Sequence, residues 1–166
     1  DDIGNKWFIG QPIDVIYDYQ FDRIWQDTPE DLAEMAKFNA NGSSFVPGTI
    51  KLVDQNNDYK ITADDKVIIG NSRPKLVVSL ANNFSYKGFD LSVFLNGEFG
   101  KKITYDPPLN LNGRENYVNI NYWTPSNPSN ECPRPNANQP PQYISAIKYC
   151  NGTYLRVRDI TLGYTL

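Results

Sequence analysis

The amino-acid sequence predicts an all-β protein of antiparallel strands. Three observations point there. The stretch from Leu76 to Phe99 alternates apolar and polar residues with a period of two, the signature of strands with unlike faces. Similar runs open and close the chain. No run of about eighteen apolar residues supplies a membrane-crossing helix.

Leu76, Val78, Leu80, Phe84 and Tyr86 fall on one face of the first strand, and Ser79, Ala81, Asn83 and Ser85 on the other. Lys87 and Gly88 make a tight turn. Phe89, Leu91, Val93, Leu95 and Phe99 then share a face against Asp90, Ser92, Asn96 and Glu98. Both runs exceed the usual strand of about five or six residues, and aromatic residues sit near the ends of the apolar rows. One greasy and one polar row over some ten residues is the pattern of a membrane-spanning barrel strand. An amphipathic strand of a soluble sandwich alternates in the same way, so these two strands leave both readings open.

At the N-terminus Trp7, Ile9, Ile13, Val15, Tyr17, Tyr19 and Phe21 share one parity, with Gly10, Asp14, Asp18, Gln20 and Asp22 on the other. Pro12 cannot donate to a ladder, so the regular strand starts after it or bulges there. At the C-terminus Ile160, Leu162, Tyr164 and Leu166 alternate with Asp159, Thr161, Gly163 and Thr165. Leu155 and Val157 have the opposite parity, which calls for a bulge near Arg158 or a strand that leaves the membrane there. Four strands of barrel type are thus expected.

Their connections are unequal. One is the minimal turn at Lys87-Gly88; the other two, about 22–74 and about 101–153, are long. Barrels of outer membranes have short periplasmic turns and long extracellular loops, which would put both long segments outside. Thr28-Pro29-Glu30-Asp31 reads as a helix start, with Thr as N-cap, Pro at the first position and acids in the first turn. Leu32, Met35 and Ala36 are the expected buried stripe. The stretch from Tyr122 to Pro141, rich in Pro, Asn and Ser, favours irregular or polyproline structure.

Composition excludes more than it selects. With 166 residues the chain has room for one domain with a core. The formal net charge of -3 and pI near 4.9 argue against nucleic acid. Histidine is absent, removing the usual general base and the commonest zinc ligand. Mean hydropathy is -0.54, which a barrel tolerates because its lumen face and loops are polar. Aromatics make up 13% of residues, enough for a barrel girdle or a sugar-binding surface. Without an initiator Met or a signal peptide, the chain reads as processed or as a piece of something larger.

The sharpest chemical motif begins at Asp54. Asp54, Asn56, Asp58, Thr62 and Asp65 stand at positions 1, 3, 5, 9 and 12 of a twelve-residue loop, and Lys60 at position 7 offers its carbonyl. That is the spacing of an EF-hand-type loop, which brings six to eight oxygens to one Ca²⁺. Two departures stand out. Tyr59 replaces the glycine of the sharp turn and would carry backbone strain. Asp65 replaces the bidentate Glu and is one methylene shorter. An acidic turn solvated by water has the same composition. Cys132 and Cys150 both lie in the second long connection. No His is present to activate a thiol, and an extracellular location favours a disulfide worth about 3 kcal/mol on the chain-entropy model. Free thiols of a reducing compartment are the other reading.

Several motifs recur in a fixed order: Gly10-Gln11-Pro12-Ile13, Ile24-Trp25-Gln26, Pro47-Gly48, the acidic loop, Val67 to Pro74, and Asn82-Asn83-Phe84-Ser85-Tyr86. They continue with Tyr122-Trp123-Thr124-Pro125, Pro133-Arg134-Pro135 and Tyr154 to Leu166. In this the chain resembles, over nearly its whole length, the C-terminal barrel portion of the SusC/RagA family of TonB-linked outer-membrane transporters. The resemblance implies that residues 1–166 form part of a transmembrane antiparallel β-barrel with long extracellular loops, in the outer membrane of a Gram-negative cell. Family members import oligosaccharides or peptides, powered by TonB through a region not present in this chain, with a SusD-like lipoprotein capping the outer mouth. The family barrel has about twenty-two strands, so four cannot close it. No enzyme chemistry is expected, and Asp64-Asp65 and Glu30-Asp31 read as loop and helix-start residues rather than a hydrolytic dyad. The alternative is a soluble, calcium-stabilised glycan-binding module with Trp25, Tyr122 and Trp123 as a stacking platform. A dockerin-like module would need a second acidic loop and a long helix.

Overall fold

The computed structural model describes residues 1–105, 120–135 and 142–165. Nine strands and one α-helix occur among the described residues. They divide into two compact units: Asp1–Ile16 with Gly70–Ile103 and Cys150–Leu166, and Tyr17–Ile69 with Thr104–Tyr149.

The first unit is organised by three antiparallel strands of eleven residues each, β5 (Leu76–Tyr86), β6 (Phe89–Phe99) and β9 (Tyr154–Tyr164), with β6 in the centre. The turn sets the register. Lys87 (φ 45) and Gly88 (φ 83) both take positive φ, as a two-residue type I′ hairpin requires. A Cβ on Gly88 would come within 2.9 Å of the Thr165 carbonyl oxygen, so the position favours glycine on contact as well as on φ. Leu80 then lies opposite Leu95, Phe84 opposite Leu91 and Tyr86 opposite Phe89.

On its other side β6 places Phe89 against Tyr164, Leu91 against Leu162 and Val93 against Ile160. The register steps between Phe94, opposite Asp159, and Leu95, opposite Val157. Arg158 is the extra residue, and the bulge expected there is present. It brings Leu155 and Val157 onto the same face as Ile160 and Leu162, and the apolar row crosses all three strands, interrupted at Asn82. That face is open: Phe84 is 60%, Ile160 63% and Leu162 71% exposed. The register also puts Asn82 among the apolar rows, opposite Val93, and Val77 and Phe94 among the polar ones. Leu166, the last residue of the expected apolar row, lies outside the described residues.

The N-terminal run differs from expectation. It is not a long strand: β1 spans only Val15–Tyr19 and begins beyond Pro12. Trp7 and Ile9 belong to turns instead. Trp7 and Asp2 exchange backbone hydrogen bonds of 2.7 and 2.9 Å, and the Asp1 carboxylate accepts the Ile9 N–H at 2.7 Å. Local acceptors thus take the amides that a ladder would need. β1 pairs with β4 (Lys66–Asn71), and β7 (Lys102–Thr104) with β8 (Tyr149–Asn151).

The second unit holds the antiparallel ribbon β2 (Phe21–Ile24) and β3 (Ile50–Leu52) and the helix α1 (Pro29–Ala40). The helix starts as its sequence predicts: Thr28 is the N-cap and accepts the Asp31 N–H at 3.3 Å, with Pro29 at the first position. Its buried stripe is shifted. Asp31, Met35 and Phe38 face inward, while Leu32 and Ala36 are exposed. Two attractions rotate it. The Asp31 carboxylate accepts from Arg23 Nη2 at 2.5 Å and from the Gln26 N–H at 2.8 Å. Phe38 packs among Trp25, Phe45 and Tyr59, with ring centroids 6.0, 5.7 and 5.5 Å away. A neighbouring core joins Ile24, Ile50, Leu52, Trp123 and Ala146. Gly48 (φ 86) passes so close to the Trp123 indole that a Cβ would sit 2.3 Å from it.

Burial opposes the charge on Asp31, but the Gln26 amide and the Arg23 guanidinium outweigh it and hold the carboxyl below its ordinary 3.8. Such a group contributes stability above that value and loses it as pH falls through the lowered one. Asp31→Asn is expected to cost about 1.5–3 kcal/mol and to remove the extra acid sensitivity of α1. Amide exchange of α1, corrected for intrinsic rate, checks both; equal acid sensitivity in the variant would contradict it. A second prediction concerns the bulge. Deleting Arg158 leaves one strand of perfect alternation and is expected to preserve assembly. Deleting Val157 instead moves Arg158 onto the apolar row, at about 2–4 kcal/mol if that row faces hydrocarbon. Heat-modifiable electrophoretic migration of the two deletions should separate them.

Candidate functional site

The acidic loop from Asp54 to Asp65 leaves the end of β3 and returns through a short 3-10 helix, Ala63–Asp65, into β4. All six residues expected to bind Ca²⁺ are described, and the side-chain oxygens of Asp54, Asn56, Asp58, Thr62 and Asp65 have partners within the loop. Asp54 accepts the Asn57 and Tyr59 N–H groups, both at 2.8 Å. Asn56 accepts from Asp58 at 3.1 Å, and Asp58 accepts from Lys60 at 2.8 Å. Thr62 caps the 3-10 helix through the Asp64 N–H, and Asp65 returns a bond to the Thr62 N–H at 2.8 Å. The other Asp65 oxygen accepts the Gln55 N–H at 2.9 Å. Asp65 is wholly buried, so its carboxylate is held between the head and the tail of the loop.

The donors are hard oxygens, the right chemistry for calcium. Among the described residues no three side chains of Asp, Glu or Cys gather as a metal centre. The strain expected at Tyr59 is present: its φ is 59°, the left-handed region that glycine would occupy freely, at about 1–2 kcal/mol for another residue. Tyr59 has a compensation glycine could not have. Its ring stands edge-on to Phe38, and Lys37 lies 4.8 Å from its centroid with Nζ donating to the hydroxyl at 3.3 Å.

Beside the loop is a cleft of about 290 Å³ lined in part by Asp22, Glu34, Lys51, Asp54 and Tyr59. Lys51 is its buried cation, 8% exposed. Its Nζ donates to Glu34 at 2.7 Å, sits 3.6 Å from Asp22 and lies 4.4 Å from the centre of the Trp25 ring. Sequence reading missed it. The available signal was the alternation Ile50-Lys51-Leu52: two neighbours that enter a core send Lys51 to the opposite side of the strand.

The aromatic platform is corrected. Trp25 is 1% and Trp123 5% exposed; both are core residues, and Trp123 Nε1 donates to Gln26 Oε1 at 3.0 Å. They cannot stack on a sugar from solvent, and Tyr122 is only half-buried. The expected disulfide is not formed either. Both cysteines are free thiols, with Cys132 in an isolated bridge to Tyr122, its carbonyl accepting the Trp123 N–H at 3.0 Å, and Cys150 in β8. Burial, helped by the charge of Glu131, pushes the Cys132 thiol up and away from the reactive thiolate.

No known family profile matches the chain. Curated proteins do. It is 28% identical to TonB-dependent receptor P3 of Formosa agariphila over 162 residues, 95% of this chain and 15% of that receptor. It is 27% identical to TonB-dependent receptor P26 of the same organism over 179 residues, 97% of this chain and 16% of the receptor. TonB-dependent receptor P39 matches at 40% over 60 residues, 36% of this chain. The chain therefore spans less than a fifth of the length of the curated relatives it matches. Similarity to proteins named TonB-dependent receptors thus runs along nearly the whole of this chain.

Proposed function

We propose that this chain is part of the wall and surface loops of an outer-membrane importer of the SusC/RagA kind, in a Gram-negative cell. The observation that carries the reading is the open apolar face of β5, β6 and β9. Three strands of eleven residues each are long enough to cross hydrocarbon at a barrel tilt. On that face the apolar side chains of β5 and β9 are exposed and Leu91, Val93 and Leu95 of β6 are half-buried; so broad an open apolar face is rare on a soluble monomer. Ser79, Asn83, Ser85, Asp90, Ser92, Asn96 and Thr161 occupy the opposite face and would meet water or the plug. The segment contributes lining and loops, while coupling to TonB belongs to another part of the polypeptide.

The imported class is oligosaccharides or peptides, delivered with a SusD-like lipoprotein at the outer mouth. The support is the ordered set of motifs from Gly10 to Leu166 and the similarity to receptors named as TonB-dependent. The competing glycan-binding module loses its platform with the burial of Trp25 and Trp123.

Two measurements test the reading. Val93→Arg places a charge on the lipid face, at about 2–4 kcal/mol near the midplane, and should lower the amount of assembled receptor in the outer-membrane fraction. Ser92→Arg, one residue away on the other face, should assemble normally and change uptake. Equal effects would refute the division of faces. Separately, a tag on the receptor should recover a surface lipoprotein in mild detergent. Recovery of the receptor alone would remove the lipoprotein from the proposal.

A further inference from the structure

We infer that the loop from Asp54 to Asp65 closes without a cation, with its own amides and the Tyr59 ring doing what calcium does in loops of this spacing. In a calcium loop the ion draws the two ends together because ligands at the first and last positions share it. Here one carboxylate spans that distance directly. Asp65 accepts the Gln55 N–H at 2.9 Å with one oxygen and the Thr62 N–H at 2.8 Å with the other, from a fully buried position. Asp54 and Asp58 spend oxygens on the Asn57, Tyr59 and Lys60 amides within 2.8 Å. Amide donors bonded to carboxylates in this way make charge-assisted hydrogen bonds, placing partial positive charge where a cation would otherwise sit.

The middle of the loop is fixed by a second device. At the turn position where an EF-hand-type loop has glycine, this chain carries Tyr59, left-handed at φ 59°. The ring is edge-on to Phe38 of α1 at 5.5 Å and carries Lys37 above it at 4.8 Å. Loop and helix are thereby stapled, and the Lys37 cation is brought close to an acidic loop from outside it. The sequence keeps the spacing of the ligands while the side chains serve as caps, so the motif alone misreports its chemistry. This inference does not rest on the import reading.

The test uses the full-length protein that contains this chain, with trypsin cleavage after Lys60 as the measure of opening. Cleavage rates in millimolar calcium and in chelator should agree within about twofold. Added terbium should show no emission sensitised by Tyr59. Tyr59→Gly should speed cleavage by about tenfold or more in both conditions, while Tyr59→Phe, which keeps the ring, should hold the rate near that of the parent. Asp65→Asn, whose amide nitrogen cannot accept an N–H, should also speed cleavage in both. Calcium slowing cleavage of the parent by about tenfold, stoichiometric terbium emission, or a Tyr59→Gly protein as resistant as the parent would each overturn the inference.

Discussion

Strand β6 is hydrogen-bonded along both edges, and its register decides where the side chains of β5 and β9 point. A slip of one residue on either side would turn a whole apolar row to the polar face. Two small features prevent it. The Lys87-Gly88 turn, closed by positive φ at both positions, fixes β5. The single unpaired residue Arg158 fixes β9, since only with it do Leu155 and Val157 fall in line with Ile160 and Leu162. The bulge is therefore not a defect in a regular strand but the element that lets the two halves of β9 agree.

The second unit is organised by buried charge rather than by area alone. Asp31 ties β2 to the first turn of α1, Asp65 ties the two ends of the acidic loop, and Lys51 joins Glu34 across the Trp25 ring. Each is nearly or wholly buried, and each is bonded. A buried carboxylate left without donors would cost more than most core contacts return. Their positions are consequently as constrained as those of Trp25 or Phe38.

What the sequence made legible follows from periodicity and local rules. The two-residue turn, the three long strands, the bulge at Arg158, the start of α1 at Thr28 and the strain at Tyr59 all depend on neighbours within a few residues. What it hid depends on partners far along the chain. The face of α1 was misassigned because Leu32 and Ala36 look like core while Asp31 does not; only Arg23 and Gln26, brought alongside, make the acid the inward residue. Trp25 and Trp123 looked like surface aromatics because nothing local shows the contacts that cover them. The acidic loop was legible as a turn, but the buried link that Asp65 makes to Gln55 and Thr62 was not.

The hairpin β5-β6 closes through two residues, whereas β9 must return from beyond the long excursion between Phe99 and Tyr154. Loop closure of that size is entropically slower than hairpin formation. As the chain acquires its structure, β6 therefore has one satisfied edge and one open edge, with bare N–H and C=O groups beside a row of Leu91, Val93 and Leu95. Such an edge invites a strand from any other chain. Until β9 arrives, that edge is where a wrong strand would displace the native partner.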